Sequence, residues 1–128
     1  MLASGSKGNA IYISDGDTAV LFDAGLSGVE IERRLKARNL NPADLDAICV
    51  SHEHADHIQG VGVLSRRFDL PVYMTPQTAA AAQPHLGKIA QTKTFQCGSG
   101  FTINTLQLHP FALSHDAKDP AGFAINCN

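Results

Sequence analysis

The stretch Ser51-His52-Glu53-His54-Ala55-Asp56-His57 constrains this chain more than any other. Four strong metal-ligand side chains, His52, His54, Asp56 and His57, fall within six residues. Imidazole nitrogen and carboxylate oxygen suit zinc, manganese or iron. The apolar run 47–50 precedes the cluster and predicts a buried strand. Residues 58–68 follow, with Ile58, Val61, Leu64 and Phe68 at helical spacing. The cluster is therefore expected where a strand ends and a helix begins, the usual place for an α/β active site. Three imidazoles and a carboxylate at a buried strand end would be costly to desolvate without a shared partner. That cost weighs against a polar loop with fortuitous histidines.

Residues two apart in an extended segment face the same way. His52 and His54 can then grip one ion, while Asp56 and His57, where the chain turns, address a second. Glu53 points away from both histidines and is not expected to be a ligand. A tetrahedral site needs more than two protein ligands. His115, in the Ser114-His115-Asp116 corner after a predicted strand, is the first candidate to complete it. His109, before Pro110, is the rival. Asp23 ends a predicted strand, where it either caps the next turn or accepts a hydrogen bond from a ligand histidine. The helix-borne HExxH pattern of zincin peptidases is absent. His85 is unaccompanied and reads as a surface residue.

A chain of 128 residues, 44% hydrophobic and 17% charged, suits one small globular domain. A net charge of −2 gives no general pull toward nucleic acid, so such binding would need a local basic patch. Cys49, Cys97 and Cys127 are odd in number and show no CxxC spacing, which argues against a disulfide framework and a thiolate zinc site. Cys49 reads as a small buried hydrophobe. A reducing cytoplasm is the expected setting. The opening residues are expected to be neither a signal peptide nor an anchor, and no apolar run reaches the length of a membrane span.

Along the chain, the small loop 4–9 reads either as a tight turn or as a ring of backbone N–H groups for an anion. Strands are expected over 10–13 and 18–22, joined by an Asp15-Gly16-Asp17 turn. Ser27 and Glu30 form a capping-box pattern opening a helix, with Glu30 to Arg34 and Glu32 to Lys36 as favourable pairs. Gly60 and Gly62 in the helix after the cluster are expected to allow close approach to the sheet. A strand over 72–74 leads to a helix capped by Thr75, with Pro76 at its first position and its body over 78–83. Strands over 92–96 and 101–108 flank Gly98-Ser99-Gly100, the β pattern continues over 111–113, and a last strand over 122–127 runs into the end of the sequence.

His52-x-His54-x-Asp56-His57 matches the HxHxDH signature of the metallo-β-lactamase-fold hydrolases. Phe22-Asp23-Ala24-Gly25 resembles that superfamily's strand-end aspartate, and His115 resembles its third metal histidine. The stretches 2–9, 23–27, 51–54, 60–64 and 114–117 are similar to the YycJ/WalJ-like branch. The resemblance implies an α/β (α+β) fold: the N-terminal half of an αββα metallo-β-lactamase sandwich, a mixed β-sheet with flanking helices. It implies two divalent metal ions, Zn2+ or Mn2+ with Fe as a further option, on His52, His54, Asp56, His57 and His115. Asp23 would act on the ligands from behind, and Asp56 would serve catalysis as well as binding. Ser6, Lys7 and Asn9 would contact a substrate phosphate.

The activity implied is a metal-dependent phosphodiesterase or DNA exonuclease, with a metal-bound hydroxide attacking phosphorus. Family members carry a second half that supplies a bridging aspartate and a last metal histidine, and no residue here matches either. Residues 1–128 are therefore expected to form one partial domain. Its partners would be a phosphodiester substrate such as DNA, no membrane, and either a further copy of the chain or a missing C-terminal half. Two other readings stay open: hydrolysis of a thioester, lactone or other small ester, and a non-catalytic metal-binding or interaction fragment.

Overall fold

Alternation of side chains along the strands divides the molecule into layers. Every residue of β2 (Ala19–Phe22) and β3 (Ala47–Cys49) is buried, so both faces of these strands are covered. Leu21 and Ile48 face one core. Val20, Phe22, Ala47 and Cys49 face another. The computed structural model describes residues 8–52, 54–112 and 121–127.

The first core lies between sheet and helices. Ile31 and Leu35 of α1 (Gly28–Ala37), Val61 and Leu64 of α3 (Val61–Phe68), and Ala82 and Leu86 of α4 (Pro76–Leu86) cover that face. The five-stranded sheet has the order β1-β2-β3-β4-β5, adding β1 (Ile11–Ser14), β4 (Pro71–Met74) and β5 (Gln91–Thr94). Only the β1–β2 pairing is antiparallel, so the sheet is mixed.

The second core lies between two sheets. β6 (Phe101–Ile103), β7 (Leu106–Ala112) and β8 (Ala121–Cys127) form an antiparallel three-stranded sheet. Ile103, Leu106 and Leu108 pack from it onto Val20, Phe22 and Cys49. An aromatic group fills the gap between the sheets. Phe22 lies 5.2 Å from Phe123, and Phe101 stacks on both Tyr73 and Phe95. Helix, mixed sheet and second sheet agree with the mixed α/β class expected from the sequence.

The sequence expectation of one strand over 101–108 is replaced by a hairpin. Asn104 adopts φ 51°, and Ile103 pairs with Leu106, so the broken alternation of this segment marks a turn. The helix expected over 58–68 is two helices, α2 (Ala55–Ile58) and α3, parted at Gly60. The Gly60 N–H donates to the Ala24 carbonyl at 2.7 Å, which draws the chain out of a continuous helix. A Cβ on Gly60 would stand 2.4 Å from the Leu26 carbonyl oxygen, and one on Gly62 would stand 2.3 Å from that of Leu86. Both glycines thus admit neighbouring backbone from loops and helix ends, not from the sheet.

Ser27 caps α1 through the Glu30 N–H, but the Glu30 carboxylate turns to Arg33 and Arg34 instead of closing the box. Glu32, expected beside Lys36, reaches across to Arg67 on α3 at 2.9 Å. α4 runs on to Leu86 and takes Pro84 into its last turn, stopping at Gly87 with φ 67°.

Ile48 is fully buried on the central strand against the helices. Ile48→Ala is expected to lower unfolding free energy by about 2–5 kcal/mol, measured by urea denaturation of the metal-free protein.

Candidate metal centre

Parallel pairing of β2 with β3 sets Phe22 opposite Cys49, so the residues that follow each strand emerge side by side. The Asp23 N–H donates to the Cys49 carbonyl at 2.8 Å, and Asp23 then turns with φ 63°. A positive φ is uncommon for a side-chain-bearing residue, although aspartate tolerates it better than most. Here the turn aims the carboxylate across the sheet edge. Oδ1 accepts the Ser51 backbone N–H at 2.7 Å, and Oδ2 accepts the Ser51 hydroxyl at 2.7 Å. Oδ2 also lies 2.7 Å from Nδ1 of His57. The Asp23 carboxylate thus engages His57 of the cluster.

Asp56 and His57 lie on α2, not in an extended strand. Two backbone hydrogen bonds from distant loops hold them, and a third braces Asn9. Ala24 N–H donates to the His57 carbonyl, Asn9 N–H donates to the Asp56 carbonyl, and Gly25 N–H donates to the Asn9 carbonyl. Gly25 has no room for a side chain, since a Cβ would lie 1.8 Å from the Asp56 carbonyl oxygen. The Asn9 side-chain amide donates to Asp56 Oδ2 at 3.0 Å and lies 3.3 Å from His57 Nε2. Expected as a phosphate contact, Asn9 is seen holding Asp56. Sequence reasoning missed this use because the two residues are 47 positions apart and no local pattern links them.

The histidine rings gather closely. His52 and His54 have centroids 5.1 Å apart, and His52 and His57 are 3.7 Å apart. Ser51 Oγ lies 2.9 Å from His52 Nδ1. The Asp56 carboxylate stands 3.5 Å from His57 Nε2. The structure thus brings His52, His54, Asp56, His57, Asp23 and Asn9 together where β2 and β3 end and α2 begins. His109 is elsewhere: it is exposed on the outward side of β7, against Gly100. Ser6, Lys7, Glu53 and His115 lie outside the described residues. Among the described residues, no three His, Cys, Asp or Glu side chains converge as a ready-made ion cage. The donor types nonetheless fit a divalent ion, and the hydrogen bonds on the Nδ1 atoms are of the kind that orient ligand imidazoles.

Electrostatics separate the groups. Burial opposes charge on His57 and is the largest single influence. The hydrogen bond from Asp23 and the charges of Asp23 and Asp56 together outweigh it, so the His57 pKa rises above its ordinary 6.5. Burial, helped by the nearby Asp23 charge, pushes the Cys49 thiol up, which keeps it protonated and inert. His85, in the last turn of α4, is exposed as expected.

The metallo-beta-lactamase superfamily model matches residues 3–114. The chain belongs to this superfamily. Membership implies divalent metal ions, commonly zinc. The chain is 42% identical over its whole length to exodeoxyribonuclease YycJ of Bacillus anthracis, covering 49% of that protein. It is likewise 42% identical to exodeoxyribonuclease WalJ of Streptococcus pneumoniae serotype 2, over 94% of this chain and 46% of the relative. The chain spans about half the length of these curated relatives. Among solved structures, the Rm3 metallo-beta-lactamase superposes with a TM-score of 0.81 at 22% identity, over 97% of this chain and 52% of the other, which shows the shared fold. Among the described residues, no helix is long and apolar enough to cross a membrane.

The folded, metal-free protein holds the His57 proton more tightly than the unfolded chain does. The stabilisation from the Asp23–His57 pair is therefore whole below about pH 6.5 and is lost as pH rises through the raised folded value. Asp23→Asn should cost more stability at mildly acidic than at alkaline pH, as measured by urea denaturation across the pH range.

Proposed function

We propose that this chain is the metal-binding half of a phosphodiester hydrolase that degrades DNA from an end. The observation that carries the reading is the pairwise proximity of His52 to His54 and His57, and of Asp56 to His57, where β3 gives way to α2, backed by Asp23. The exodeoxyribonuclease names of relatives 42% identical over nearly the whole chain support the substrate. His52 and His54 would hold one ion with His115, and Asp56 and His57 would hold a second. Zinc and manganese are the leading candidates, with iron as a further option, because availability decides among ions for such donor sets. When bound, divalent ions would lower the pKa of water and neutralise phosphoryl charge.

The protein's own residues prepare this chemistry. Asp23 engages His57 Nδ1 and leaves Nε2 turned toward Asp56 and Asn9. Asn9 fixes the Asp56 carboxylate, the residue we assign to catalysis as well as to binding. Ser6, Lys7 and Asn9 would meet the substrate phosphate.

We further propose that residues 1–128 form one partial domain of a longer αββα hydrolase. The half-length match to the relatives supports this. So does the outer face of the three-stranded sheet, where Phe111 is 47% exposed. A C-terminal half, or a second copy of the chain, would cover that face. A cytoplasmic setting suits a DNA substrate and the free, buried Cys49.

The test is cleavage of 5′-phosphorylated DNA by the protein with and without added Zn2+ or Mn2+, alongside thioester and lactone substrates. Chelation should abolish DNA cleavage, and His54→Ala should reduce it by about 100-fold or more while leaving the fold intact by circular dichroism. Full DNA activity in His54→Ala, or hydrolysis confined to the small esters, would refute the proposal.

A further inference from the structure

We propose that Ser51 is a positioning residue: its hydroxyl links the Asp23 carboxylate to His52, so that one carboxylate orients both His52 and His57. The hydrogen bonds fix the direction of each proton. The Ser51 hydroxyl donates to Asp23 Oδ2 at 2.7 Å, so its oxygen is left to accept. His52 Nδ1 lies 2.9 Å from that oxygen and must carry the proton it donates. His57 Nδ1 donates to the same Oδ2 at 2.7 Å and passes within 3.3 Å of the Ser51 oxygen. Both imidazoles are thereby held as Nδ1–H tautomers, each with its lone pair on Nε2, and that of His57 faces Asp56 and Asn9.

The backbone makes the arrangement stiff. The Ser51 N–H donates to the other carboxylate oxygen, so Asp23 grips this residue through main chain and side chain together. Ser51 is half-buried and Asp23 is 8% exposed, which limits competition from water. Asp23 has three donors on two oxygens: the Ser51 N–H, the Ser51 O–H and His57 Nδ1–H. The Ser51 hydroxyl joins that carboxylate to His52 Nδ1. Residues 51 and 52 are neighbours, and each peptide alone could place a ring many ways. The hydroxyl selects one.

The proposal rests on the reading of His52 and His57 as metal ligands, and the test separates the two. Long-range nitrogen–proton correlation spectra of the 15N-labelled, metal-free protein report the tautomer of each imidazole, at a pH that keeps them neutral. The wild type should show Nδ1–H on both His52 and His57. Ser51→Ala should release His52 from that tautomer while His57, still bound to Asp23, keeps it. Zinc affinity by competition with a chromophoric chelator should fall about 10-fold in Ser51→Ala. Ser51→Thr, which restores a hydroxyl, should recover both the tautomer and the affinity. An Nε2–H tautomer on His52 in the wild type would overturn the proposal without any variant. So would a Ser51→Thr protein that behaves like Ser51→Ala, or an unchanged His52 tautomer in Ser51→Ala. If the wild-type tautomers are as stated but no zinc binds, the metal reading fails, and with it the role assigned to Ser51.

Discussion

The carboxylate of Asp23 is the point on which the site depends. It sits where β2 ends, in a left-handed conformation that lifts it across to the end of β3. From there it holds Ser51 twice and His57 once. A charged hydrogen bond of this kind is stronger than a neutral one, and burial strengthens it further. The raised His57 pKa reflects the same contact, since burial alone would drive it the other way. The backbone strain at Asp23, of order 1–3 kcal/mol for such outliers, persists because the surroundings leave it no alternative.

The layers of the fold explain why that carboxylate stands where it does. β2 and β3 are parallel neighbours buried on both faces, one against helices and one against the second sheet. Their ends cannot drift relative to one another without disturbing both cores. The loop after β2 is then sewn to α2 by backbone hydrogen bonds through Ala24, Gly25 and Asn9. Gly60 admits the Leu26 carbonyl at the start of α3, so the turn between the two helices closes against the same loop. The site's supports are thus main-chain hydrogen bonds through Ala24 and Asn9 together with the Asp23 and Asn9 side chains.

Much of this was legible in the sequence. The ligand spacing in His52-x-His54-x-Asp56-His57 is local, and so is the apolar run before it. The Ser27 and Thr75 caps, the Asp15-Gly16-Asp17 turn and the buried Cys49 were equally local. What escaped depended on distant partners. The contact of Asn9 with Asp56 spans 47 positions, and no local pattern announced it. Glu32 was paired with Lys36 by helical spacing, whereas packing of α1 on α3 offers it Arg67. The hairpin at Asn104 was hidden because its two strands continue one another's composition, and only an imperfect alternation hinted at the turn. Gly60 announced close approach, but not to what.

We propose that Asp23 organises the cluster for metal. It is tested most directly by isothermal titration of zinc into the wild-type and Asp23→Asn proteins under identical conditions, with equal fold content confirmed beforehand. Asparagine keeps the shape but presents an N–H2 where Ser51 and His57 need an acceptor. A loss of zinc affinity of about 10- to 100-fold is expected in Asp23→Asn. Equal affinity in the two proteins would contradict it.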